Sequence, residues 1–160
     1  MTPRNELAQY LGRTGGVMTA AVTIRPGRQD EIPTVLEVWR RAEAIPGTTD
    51  TPADLAQLLR HDAEALLVAV AGPHIVGTAI ATWDGWRGGI WRLAVLPNWR
   101  RRGVARALVD EAERRLRAKG VRRMSVLAES ANPRAVAVWE ACTDIGYERD
   151  PDIRRYVKML

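Results

Sequence analysis

Leu93-Ala94-Val95-Leu96-Pro97-Asn98-Trp99-Arg100-Arg101-Arg102-Gly103-Val104-Ala105-Arg106-Ala107-Leu108 changes its hydrophobic period at Pro97. Before the proline, Trp91, Leu93 and Val95 alternate with Ile90, Arg92 and Ala94, the period of a strand. From about Gly103, Val104, Leu108, Ala112 and Leu116 recur on one stripe, which predicts a helix to Lys119 ended by Gly120. The turn therefore joins a strand end to a helix start. Backbone N–H groups at a helix start lack internal partners and carry the positive end of the helix dipole, so they suit a phosphate. Gly103 and the small Ala105 let a pyrophosphate approach the backbone, and Arg100, Arg101 and Arg102 add charge. The same residues also read as a tight turn with solvated arginines. The run lacks the Gly-Lys-Ser/Thr ending of a P-loop and the Gly-x-Gly-x-x-Gly of a dinucleotide fingerprint.

Working outward, Val121 to Ala128 predicts a fifth strand, Asn132 to about Ile145 a fourth helix, and Tyr147-Glu148 with Ile153 to Leu160 a closing hairpin across Asp150-Pro151-Asp152. Upstream, Leu66 to Val70 and Ile75 to Trp83 are strands joined at Gly72-Pro73, and Trp83 to Gly89 is a turn into the fourth strand. Thr51 as cap and Pro52 as first residue start the second helix, with Leu55, Leu58 and Leu59 on its buried face. Ile32, Val35, Leu36 and Trp39 mark the first helix, from Asp30 to about Glu43, after a first strand at Ala21 to Ile24. On the third helix, Asp110 with Arg114, Glu111 with Arg115 and Glu113 with Arg117 are four-residue pairs expected on the solvated side. Strands joined by tight turns are antiparallel, whereas strand-helix-strand allows a parallel pair. The expected fold class is α/β of the α+β type: a mixed, mostly antiparallel seven-stranded sheet with four helices.

The chain has 160 residues, 46% of them hydrophobic, which is enough for one domain with a real core. Residues 1–19, with Gly12, Gly15 and Gly16 among polar residues, read as a flexible tail, leaving 20–160 as the domain. No apolar run is long enough for a membrane span and no leader pattern precedes the first strand, so a soluble, cytoplasmic protein is expected. Cys142 is the only cysteine, and His61 and His74 have no ligand at metal spacing, so no metal is expected. The net charge of +5 comes largely from arginine clusters, which can steer a nucleic acid, a membrane surface or a phosphorylated cofactor. Their spread over loop, helix and strand forms no nucleic-acid recognition module.

The Leu93–Leu108 run resembles the signature of the GNAT superfamily, the acyl-CoA-dependent N-acyltransferases. That signature, Gln/Arg-x-x-Gly-x-Gly/Ala, is met by Arg100, Gly103 and Ala105. A second family block, Asn-x-x-Ala-x-x-x-Tyr followed by Gly-aromatic, is echoed by Asn132, Ala135, Trp139 and Gly146-Tyr147. The element order matches from about Val22 to Leu160, as in small single-domain bacterial members. The resemblance implies acetyl-CoA as co-substrate and an unidentified amine acceptor, small molecule or protein. It also implies a pantetheine arm along Leu93, Ala94 and Val95, and a pyrophosphate on amides from Arg101 through Arg102, Gly103, Val104 and Ala105 to Arg106. Asn132 is the family's cofactor-contacting position, and is equally a helix cap before Pro133. Oligomeric state is open, a homodimer included.

Two departures stand out. Trp139 replaces the family tyrosine that often protonates the leaving thiolate, and about three extra residues separate it from Gly146. Asn132 and Trp139 remain on one helical face, but an indole N–H donates a hydrogen bond without acting as a proton acid. The leaving sulfur then departs as thiolate or takes a proton from water or from Tyr147. An alkylamine with a pKa of about 10.4 is about one part in a thousand neutral at pH 7, so the site must help remove a proton. Glu129 ranks first as base, followed by Asp84 and Glu43; each also reads as a solvated carboxylate. The resemblance places the acceptor between the first two helices and the turn before the fourth strand, where Glu43, Asp50, Asp54, Trp83, Asp84 and Trp86 offer charge and aromatic rings to a cationic amine. The competing class is a non-catalytic acyl-CoA sensor or partner-binding domain.

Overall fold

The computed structural model describes residues 21–159, so the tail expected over 1–19 lies outside them. The described chain forms two compact units, divided between Leu127 and Ala128. In the first, β1 (Val22–Pro26), β2 (Leu66–Ala71), β3 (His74–Trp83), β4 (Gly88–Val95) and β5 (Met124–Val126) form one sheet in that order. The first three ladders are antiparallel and β4 with β5 is parallel. The parallel pair needs a crossover, which α3 (Val104–Ala118) supplies.

Helices cover both faces of the sheet. Trp39 of α1 (Ile32–Arg41) donates its indole N–H to Thr78 Oγ1, whereas a Cβ on the adjacent Gly77 would meet Leu108 and Val104 of α3. Neighbouring strand residues point to opposite faces, so α1 and α3 lie on opposite sides. That is why Leu66, Leu67, Val68 and Ala69 are all buried in succession instead of alternating. Val38 joins Ile32, Val35 and Trp39 in the core of α1, and the expected Leu36 is only half-buried. The second helix, α2 (Pro52–His61), starts as expected, with Thr51 Oγ1 accepting from Asp54 N at 3.1 Å. At the end of α3, Gly120 at φ +82° allows Val121 N–H to reach back to Leu116 O.

Several expectations are corrected. The sheet has five strands, not seven, and the fifth spans Met124–Val126 instead of Val121 to Ala128. Val121 is used by the helix-ending turn, which shortens the strand from its start. The expected closing hairpin is absent among the described residues. Asp150 Oδ1 accepts from Asp152 N and makes the turn, but the flanking segments form no ladder. A two-stranded hairpin is marginal without a third strand to pair with, and β5 is three residues long. In the second unit, α4 covers Pro133–Glu140, with a separate single turn at Thr143–Ile145, where one helix to Ile145 was expected. Arg115 is buried, not on the solvated side with Glu111: it donates to Ala81 O at 2.8 Å and pairs with Asp62, binding α3 to β3 and to the end of α2. Glu111 pairs with Arg114, and Asp110 with Arg106.

Glu31 is the most strongly perturbed carboxyl group described. Both Nη atoms of Arg25 donate to it, at 2.9 and 2.6 Å, and so does Arg28 N–H at 2.9 Å. The hydrogen bonds from Arg25 hold its pKa at about 2, against a burial effect that opposes them. Glu31→Gln is expected to cost about 2 kcal/mol in urea unfolding at neutral pH. The folded-state pKa lies below the ordinary value, so this stabilisation is complete above about pH 4.5 and is lost as pH falls through about 2. The gap between wild type and variant should narrow over that range; a gap independent of pH would mean that Glu31 acts through shape alone.

Candidate active site

β4 is hydrogen-bonded to β3 along most of its length, but its ladder with β5 covers only Gly88, Gly89 and Ile90. Beyond Ile90 the β5 side of β4 has no ladder partner among the described residues. The register explains the divergence. Thr78 faces Ala94 while Ile80 faces Trp91, so Arg92 and Leu93 together oppose Ala79, a bulge with Arg92 at φ +51°. A bulge bends its strand and increases local twist, and this one lies just past Ile90, where the pairing with β5 ends.

At the end of this strand the chain makes a single helical turn over Pro97–Trp99 and enters α3 through two left-handed residues, Arg101 at φ +57° and Gly103 at φ +79°. Gly103 has open space where a Cβ would project. The first bond of α3 runs from Ala107 N–H to Gly103 O, so the amides of Val104 and Ala105 have no partner within the helix. Residues of alternating hand direct successive N–H groups into one concavity, and the helix dipole adds to it. Arg101, Arg102 and Gly103 are exposed, and the Arg102 guanidinium lies 5.2 Å from the Trp99 ring.

Arg100 has its side chain engaged with main-chain carbonyls. Its Nε donates to Val95 O at 3.1 Å, its Nη2 to Ala42 O at 2.9 Å and its backbone N–H to Pro97 O. The signature arginine thus braces the end of β4 against the end of α1. Arg106 Nε donates to Asp110. Asp84 sits at the tip of the β3–β4 hairpin, where its Oδ1 accepts from Arg87 N at 2.7 Å and Trp86 N at 2.8 Å. Those amides hold its pKa below the ordinary value, which makes it a weak base. It lies at the Gly88 end of β4, about 24 Å along the strand from Val95.

In the second unit, Glu129 is exposed and its carbonyl accepts from Asn132 N–H. Asn132 Oδ1 accepts from Ala135 N at 3.2 Å, so this side chain caps α4. The rings of Trp139 and Tyr147 lie 5.0 Å apart, tilted at 51°. Their pairing follows from the chain reversal at Gly146, whose φ of +91° turns Tyr147 back toward the end of α4.

The sequence reading missed a network centred on Arg92. Its Nε donates to Asp50 Oδ1 at 2.9 Å, its Nη1 to Ile45 O at 2.8 Å, and its guanidinium lies 5.2 Å from the Trp39 ring. The available signal was a charge between Ile90 and Ala94 on one face of an otherwise apolar strand.

Comparison with known proteins agrees with this architecture. The family model described as the acetyltransferase (GNAT) family matches residues 32–143. A protein named as an acetyltransferase from Pectobacterium atrosepticum is 32% identical over 117 residues, covering 73% of this chain and 83% of its own. The aminoglycoside N-acetyltransferase AAC(6')-Iy, solved in complex with CoA, superposes with a TM-score of 0.67 at 22% identity, covering 94% of this chain and 100% of that one. A predicted acetyltransferase from Clostridium acetobutylicum, solved with acetyl-CoA, gives 0.65 at 14% identity over 85% and 96% of the two chains. With a matched domain that includes the bulged strand, the amide-lined turn and α3, the chain belongs to the GNAT family and is an acetyltransferase.

Proposed function

We propose that the protein transfers an acetyl group from acetyl-CoA to a primary amine by direct attack in a ternary complex. The observation that carries this reading is the left-handed turn at Arg101 and Gly103 that opens onto the N-terminus of α3, just past the end of β4, whose ladder with β5 stops at Ile90. A pyrophosphate satisfies the N–H groups of that N-terminus, and the β4 edge offers the amide-like pantetheine arm the hydrogen bonds of a missing strand. Relatives of the same fold solved with acetyl-CoA or CoA support the choice of co-substrate. Acetyl-CoA supplies the activated thioester. The chain supplies alignment, a donor for the carbonyl oxygen and a base for the ammonium proton.

The backbone N–H of Val95 is the proposed carbonyl donor, an oxyanion-type contribution. Glu129 is the proposed base, since Asp84 is already committed to its turn. Tyr147 or water returns a proton to the sulfur, and Trp139 serves to position Tyr147 through their ring contact. Thiolate at pH 7 lies only about 2 kcal/mol above the thiol, so a weak donor suffices.

Acetyl-CoA at a hundredfold its dissociation constant is expected to stabilise the fold by about 2.7 kcal/mol, read as a rise in Tm. Gly103→Asp should abolish the rise, because aspartate tolerates the left-handed backbone while placing a negative charge before the amides. A folded Gly103→Asp protein that binds CoA normally would overturn the phosphate assignment. Separately, Glu129→Gln should lower kcat/KM about 100-fold at pH 7 and less than tenfold at pH 9, where more of the amine is already neutral. Equal losses at both pH values would remove Glu129 as the base.

A further inference from the structure

We propose that Arg92 and Asp50 form a latch through which β4 sets the conformation of the loop joining α1 to α2, so that the pair positions the acceptor amine; the acceptor half rests on the acetyl-transfer reading above. Residues 42–51 contain no helix or strand. Beside one internal turn, in which Asp50 N–H donates to Gly47 O, the loop is held by hydrogen bonds from outside it. Arg92 binds both Asp50 oxygens with its fork and Ile45 O with its remaining amino group, while Asp50 Oδ2 also accepts from Gly47 N at 2.7 Å. One guanidinium therefore orders the middle and the end of the loop. Arg100 holds its start, through Ala42 O.

The latch is tied to the strand that carries the reaction. Arg92 is the left-handed residue of the β4 bulge, and its own carbonyl accepts from Thr78 Oγ1 at 3.2 Å. Thr78 in turn accepts from the Trp39 indole, and the Arg92 guanidinium lies near that ring. Backbone, hydroxyl, indole and guanidinium thus close a circuit, so the bulge and the loop adopt their shapes together. The pair is largely desolvated, with 23% and 17% of the two side chains exposed, so either partner left alone is a costly buried charge.

This changes the part expected of Asp50. Its carboxylate is committed to Arg92 and Gly47, Asp54 to Thr51 and Asp84 to the hairpin turn. Asp50 acts on an acceptor by placing the loop, not by pairing with the amine.

The test uses Asp50→Asn, which keeps the shape and loses the charge, and Arg92→Lys, which keeps the charge and loses the fork. Hydrogen exchange is measured at the amides of residues 43–50 and in α3, and steady-state kinetics with acetyl-CoA and spermidine, tyramine or a lysine peptide. The expected result is at least tenfold faster exchange in the loop, unchanged exchange in α3, a KM for the amine raised at least tenfold and a KM for acetyl-CoA within twofold of wild type. Arg92→Lys should fall between wild type and Asp50→Asn, and it carries the test if the latter does not fold. Unchanged loop exchange overturns the latch. Faster exchange with both KM values moving together, or neither moving, overturns its role toward the acceptor. Failure of the wild type to acetylate any of the amines counts against the acetyl-transfer reading and the acceptor half with it, while the exchange result still decides the latch.

Discussion

Strand β4 must satisfy two partners that diverge. On the β3 side its ladder runs from Gly88 to Val95, and on the β5 side it stops at Ile90. A strand interior with free polar groups is costly unless something meets them, so an edge opened in the middle of a sheet is a built feature and not a frayed end. The bulge at Arg92 opens it, and the residues around the bulge are committed to holding that shape. Thr78, Trp39 and Arg92 lie on three different elements and meet at this one point.

Two arginines extend that constraint outward. Arg92 and Arg100, on either side of the open part of β4, both donate to the α1–α2 loop. Hydrogen bonds from charged groups contribute roughly 1.5–3 kcal/mol each, which is comparable to the backbone entropy lost on ordering one or two loop residues. A proline- and glycine-containing connection can therefore be ordered without becoming a helix. The loop then inherits its position from β4, and a change at the bulge is felt on the face of the sheet covered by α1.

The parts of this architecture legible in sequence are those fixed by near neighbours. Thr51 and Pro52 start α2, Gly120 ends α3, and Gly103 takes the left-handed turn into the start of α3; each is decided within a few residues. The length of β5 was not legible, because it depends on whether β4 still lies alongside after the bulge. The final two strands failed for the same reason, since a turn at Asp150-Pro151-Asp152 between two segments marks chain that can reverse and not the presence of a partner strand. The direction of the Arg100 side chain was not legible either, because a long side chain next to a turn can point to either side, and this one reaches Val95 O and Ala42 O. Arg92 and Asp50 are 42 residues apart, and only the folded sheet brings them together.

The amide-lined turn before α3 has a further consequence, in the dependence of ligand capture on ionic strength. Arg101 and Arg102 are exposed, and their attraction for an anion is screened within about 8 Å at physiological salt. The backbone N–H dipoles act at hydrogen-bond distance, where mobile ions do not intervene. On the proposed phosphate assignment, added salt should therefore slow the arrival of a phosphorylated ligand much more than it hastens its departure, the arginines acting on encounter and the backbone on residence.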